Sequence, residues 1–94
     1  MGAERYDVRL FSGASMKTRR EYNLDPRDYV ATRELLEEMV LQERGTLRLD
    51  LSQFRIDVHH LGHGGLEARV TVDPSGRTRI DGKTRDMEQS LARP

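Results

Sequence analysis

L66-E-A-R-V-T-V-D-P-S-G-R-T-R-I-D81 is the stretch that decides the fold of this chain. Apolar and polar residues alternate up to Val72, turn residues interrupt them, and the alternation resumes from Thr78. Pro74 suits the second position of a type I turn and Gly76 the left-handed residue that follows, so the expected connection is a three-residue hairpin loop. That register sets Val72 opposite Thr78, Val70 opposite Ile80 and Arg69 opposite Asp81. One face of the hairpin is apolar and the other carries paired charges, as expected of a sheet covered on one side.

Upstream, F54-R-I-D-V-H-H60 alternates in the same way and runs into L61-G-H-G-G65. Val58 to Gly65 holds all three histidines of a chain without cysteine. Successive strand residues point to opposite faces, so His59 and His60 diverge, and the glycines around His63 exclude the helix that an i, i+4 ligand pair needs. A glycine-containing loop that returns the strand and sets Asp57 opposite Arg69 is expected, with no metal site. Further upstream Leu47, Leu49 and Leu51 alternate one residue out of phase with Phe54, Ile56 and Val58. A two-residue turn at Ser52-Gln53, or a bulge within one long strand, would explain the shift, and strands are expected over residues 46–81.

The period changes before Gly45. Asp25-Pro26 reads as a helix start, Asp capping and Pro at the first position, with Asp28 adding negative charge to the first turn; the helix is expected over residues 26–44. Tyr29, Leu35, Leu36, Met39 and Val40 share the arc that should meet the sheet. Val30 and Leu41 lie a quarter to a third of a turn beyond it, beside Glu34 and Glu37, and form a narrow apolar seam flanked by acids. At the N-terminal end R5-Y-D-V-R-L-F11 alternates as a strand, and residues 12–24 read either as a return strand or as a long basic loop. Residues 83–94 read as a frayed tail, with Met87 and Leu91 four apart.

The expected fold is therefore a single α+β domain over residues 1–94: an antiparallel sheet of four to five strands with one long helix packed on one face. The chain has 94 residues, with sixteen basic and sixteen acidic side chains. That size suits one modest core, and the balance gives little long-range pull on phosphate. The absence of cysteine rules out disulfide and thiolate chemistry and suits a reducing compartment, so a cytoplasmic protein is expected. No run of eighteen apolar residues is present, and no membrane span is expected. The serines show no G-x-S-x-G elbow, and G13-A-S-M-K-T18 lacks the second glycine of a phosphate loop. No catalytic residue and no cofactor is expected.

Charge is distributed unevenly. Residues 25–44 carry six acids against three arginines, whereas residues 1–24 carry five basic against three acidic side chains. Opposite patches favour a protein partner or a second copy of the chain. The reading is a small non-enzymatic interaction module with its interface at Val30, Glu34, Glu37 and Leu41. The alternative is an RNA-associated protein using Lys17, Arg19, Arg20, Arg77 and Arg79, and a lower alternative is a histidine-dependent metal-binding protein or enzyme.

One resemblance bears on the RNA alternative. The order of strand, helix and then three or more strands, ending in V70-T-V-D-P-S-G-R-T-R-I-D-G-K-T-R-D-M87, resembles the ribosome-associated hibernation factors. It implies a second helix after Asp86-Met87 and a basic helix surface that binds ribosomal RNA. Here E88-Q-S-L-A-R-P94 replaces the expected aromatic and apolar run, and the helix is acidic, so no residue is carried over.

Overall fold

The structure, a computed structural model, describes residues 4–62 and 64–82. Its elements are β1 (Arg5–Ser12), β2 (Ser15–Asn23), α1 (Tyr29–Arg44), a 3-10 turn (Leu51–Gln53), β3 (Phe54–His60), β4 (Leu66–Val72) and β5 (Thr78–Asp81). The five strands form one antiparallel sheet in the order β2-β1-β3-β4-β5, with α1 against one face. The expected α+β fold is the observed one. His63 and the tail over residues 83–94, including Asp86-Met87, lie outside the described residues.

The β4–β5 hairpin has the register its sequence predicts: Arg69 with Asp81, Val70 with Ile80 and Val72 with Thr78. Asp73 N–H donates to the Arg77 carbonyl at 2.9 Å, Gly76 N–H to the Asp73 carbonyl at 2.8 Å, and Gly76 takes φ 90°. The Asp73 carboxylate accepts from Ser75 Oγ and from the amides of Ser75 and Arg77. Those bonds, the Ser75 hydroxyl first, hold its pKa below the usual carboxylate value.

The open question at residues 12–24 resolves as a strand. Gly13-Ala14 turns the chain, Gly13 taking the positive φ of 59° that a two-residue hairpin asks of its first position. A register shift between Leu10 and Phe11 leaves Lys17 as the extra residue of the hairpin. β2 is an edge strand and mostly exposed, which is why its alternation is weak in sequence. Two strands therefore precede the helix, where the hibernation-factor order has one.

Three expectations are corrected. The helix starts at Tyr29, not Pro26: the Asp25 carboxylate accepts from Arg27 N–H and its carbonyl from Asp28 N–H, which closes a separate turn. Asp28 is the cap, accepting from the amides of Val30 and Ala31 at 2.9 and 3.0 Å. Starting there puts Tyr29 at the helix tip, 56% exposed and off the core, while Thr32 is fully buried in its place. Its hydroxyl donates to the Asp28 carbonyl at 2.7 Å, so it packs without an unmet polar atom. The third correction is that residues 46–53 form no strand. Gly45 ends the helix at φ 77°, and the Asp50 carboxylate then caps the 3-10 turn through Ser52, leaving Leu47 and Leu49 exposed. Neither a two-residue turn nor a bulge is present at Ser52-Gln53. Local side-chain to backbone bonds, Arg48 N–H to Thr46 Oγ1 among them, replace ladder bonds there.

The core lies between α1 and the sheet. Val8 and Leu10 of β1, Ile56 and Val58 of β3, Val70 of β4, and Leu36 and Val40 of α1 are fully buried. Leu24, Tyr6, Phe54 and Val72 close its margins. No described helix is long and apolar enough to cross a membrane.

Candidate functional site

The side chains that alternate with the core residues face away from α1. Strand pairing arranges them in rows across the sheet. One row runs Arg19, Arg9, Asp57, Arg69, Asp81; its neighbours on either side hold Met16, Phe11, Arg55, Thr71, Arg79 and Glu21, Asp7, His59, Leu66. No described element packs over this face, yet Asp7 is only 7% and Asp57 only 4% exposed.

Arginines bury them. Asp7 Oδ2 accepts from Arg9 Nε and Nη2 at 3.1 and 3.0 Å and pairs with Arg19 Nη2 at 3.3 Å. Asp57 takes Arg69 in a two-pronged contact, Nε to Oδ1 at 3.0 Å and Nη2 to Oδ2 at 3.3 Å, and Arg55 Nε at 3.3 Å. Charge-assisted bonds of this kind offset the desolvation of a carboxylate, which alone would be strongly unfavourable. The bond to Asp57 is also the main cause that raises the pKa of Arg69. Arg55 lies 4.3 Å over the Phe11 ring and donates to the Gly13 carbonyl at 2.9 Å.

Each carboxylate is shared by two guanidiniums, so each trio keeps one net positive charge. Every arginine has more donors than its carboxylate can accept. On Arg9, Arg55 and Arg69 the surplus N–H groups belong to guanidiniums already held by two or more hydrogen bonds, which lowers the entropy lost when an anionic group binds.

The residues expected to contact nucleic acid divide between locations. Arg19 and Arg79 are on the open face, at opposite edges of the sheet. Arg20 is opposite Val8 on the helix side, Lys17 is at the bulge and Arg77 is in the β4–β5 turn. Arg9, Arg55 and Arg69, which span the gap between Arg19 and Arg79, were not among the expected contacts. The signal for Arg9 and Arg55 is the pairing of Arg and Asp two residues apart, D7-V-R9 and R55-I-D57, on strands whose other face is apolar, and that for Arg69 is its place opposite Asp57.

The expected interface residues do form one stripe on α1. Val30 is 68% and Leu41 45% exposed, and Glu34 is exposed beside them. Glu37 is half-buried and accepts from Arg33 Nε at 3.3 Å, while Arg33 Nη1 reaches the Gly76 carbonyl of the β4–β5 turn. A groove of about 240 Å³ between β2 and α1 is lined by Tyr22, Leu24, Ala31, Glu34, Leu35 and Glu38.

His59 and His60 point to opposite faces. His59 Nδ1 is 3.0 Å from the Gly64 carbonyl; the His60 ring lies 5.5 Å from that of Tyr6, and its Nε2 contacts Glu67 Oε1. Among the described residues no three His, Cys, Asp or Glu side chains stand together to hold a metal. A cleft of about 50 Å³ between β4, β5 and the start of α1 has Pro26, Arg27, Tyr29 and Glu67 among its walls, space for a few waters. Comparisons with known protein families, with curated proteins and with solved structures find no match.

Proposed function

We propose that the chain is a small non-enzymatic protein-interaction module that docks an acidic protein surface on the open face of its sheet. The observation that carries this reading is the burial of Asp7 and Asp57 beneath arginines on a face over which no described element packs. An arrangement needed only for solubility would not require carboxylates to be withdrawn from water. Held as they are, Arg9, Arg19, Arg55 and Arg69 match the planar geometry of partner carboxylates. Val30, Glu34, Glu37 and Leu41 are a second contact surface on the opposite side of the domain.

The run of arginines from Arg19 to Arg79 favours RNA as the second reading. Against it, Arg5, Arg9, Arg19, Arg55, Arg69 and Arg79 are countered on the same face by Asp7, Glu21, Asp57 and Asp81, leaving a net charge of only +2. Phe11 already stacks under Arg55, so it offers no free platform for a base. Titration of the full chain with polyglutamate and with duplex RNA at equal charge concentration separates the two. The expected result is binding to polyglutamate that Arg19→Gln weakens, with no comparable RNA complex. Tighter, steeply salt-dependent RNA binding would reverse the assignment.

A further inference from the structure

We infer that the acidic surface taken by the open face is the outer stripe of α1 on a second copy, so that copies join head to tail; this rests on the function proposed above. Because α1 packs on one face of the sheet, its outward stripe and the arginine face point in opposite directions on one molecule. The chain as a whole is neutral, with sixteen charges of each sign, so its two faces are complementary while the molecule has no net charge to keep copies apart.

The dimensions agree. Val30 and Leu41 are separated by eleven residues, roughly 16 Å along a helix, and Arg19 and Arg79 by four strand spacings, roughly 19 Å. The stripe therefore reaches across roughly three of the four strand spacings. Glu34 on the stripe, with Glu38 beside it, is exposed and available to surplus arginine donors; Val30 and Leu41 would meet Met16, 48% exposed, and the half-buried Leu66. A two-fold dimer built from either patch alone would set arginine against arginine or glutamate against glutamate. The contact favoured by charge is the unlike one, which propagates into a ring or an open filament.

Two variants test this by sedimentation velocity at low salt. The helix variant is Glu34→Lys with Leu41→Lys; the sheet variant is Arg19→Gln with Arg79→Glu, chosen because Arg9 still holds Asp7 and because Arg79 is well exposed. Wild type is expected to form a concentration-dependent series of oligomers, and each variant alone is expected to be monomeric. An equimolar mixture should yield dimers and nothing larger, since one good interface remains between unlike variants. A mixture that stays monomeric, a wild type that stays monomeric, or a variant that still self-associates would overturn the inference. Should the sheet variant lose its circular dichroism signal, Arg79→Glu alone takes its place with the same expectation. Polyglutamate distinguishes the two levels: a monomeric wild type that binds it through Arg19 would keep the proposed function and discard self-pairing. A wild type that neither binds it nor self-associates would discard both.

Discussion

Ile56 and Asp57 are neighbours on β3, 0% and 4% exposed, on opposite faces of one sheet. Ile56 is buried by α1 and Asp57 by Arg55 and Arg69. The first burial is driven by removal of apolar surface from water. The second depends on ion pairs whose partners stay in contact with solvent, their side chains 27% and 45% exposed. Equal burial thus has unequal energetic meaning: the covered face supplies stability, and the open face supplies a fixed pattern of donors.

Ile56→Ala is the severest way to probe the covered face. With Val8, Leu10, Val58 and Val70 also fully buried there, the cavity cannot collapse freely, and the loss should be about 2–5 kcal/mol. Urea unfolding monitored by circular dichroism measures it. Asp57→Asn on the next residue keeps the shape and one acceptor but removes the charge, and should cost about 1–2 kcal/mol, because the freed guanidiniums can turn to water. If Asp57→Asn costs as much as Ile56→Ala, the open face is a second core and the contrast between the faces is lost.

Tyr6 tests the margin of the covered face by pH. Burial, then its hydrogen bond to Glu4, pushes its hydroxyl up from 10.0 to about 12. The folded state holds this proton more tightly than the unfolded chain, so the stability involved is fully present below pH 10 and is lost as pH rises from about 10 to 12. The loss should reach roughly 2 kcal/mol, and Tyr6→Phe should flatten that part of the pH profile. Alkaline unfolding curves for the two proteins check it; identical slopes would mean that the ring is open to solvent.

The covered face was the legible one in the sequence. Period-two alternation identifies β1, β3, β4 and β5 because burial on one side forces it, and D73-P-S-G76 sets the last register through turn chemistry. β2 stayed undecided because an edge strand on which only Thr18 and Tyr22 are half-buried carries a weak constraint. Leu47 and Leu49 imitate a strand, but the pattern cannot reveal that the Asp50 carboxylate captures Ser52 and turns the chain instead. Tyr29 has the correct helical angle and the wrong position along the axis; angle alone does not say where the sheet ends. On the open face the Asp57–Arg69 pair follows from hairpin register, whereas Asp7–Arg19 and the route from Arg9 to Arg55 require knowing that β1 lies between β2 and β3. The order of strands is a long-range fact, and the arginine cluster depends on it.

The smallest expected effect on stability is also the one that distinguishes folding from assembly. Val40 and Leu41 are consecutive on α1, 0% and 45% exposed, and Val30 is more exposed still. Replacing Val30 and Leu41 together with Lys leaves Thr32, Leu35, Leu36, Met39 and Val40 in place, and exposed positions of this kind usually change stability by less than about 0.5 kcal/mol. Added cations near Glu34 and Glu37 offset part of that group's mutual repulsion, so the urea midpoint should stay within error of wild type. Association should not survive: the stripe would present cations to the arginines of the next copy and lose its apolar contact. Sedimentation of the double variant should show monomers with an unchanged circular dichroism spectrum. If it unfolds instead, the outward stripe belongs to the core, and the division between a covered and an open side of the molecule has been drawn in the wrong place.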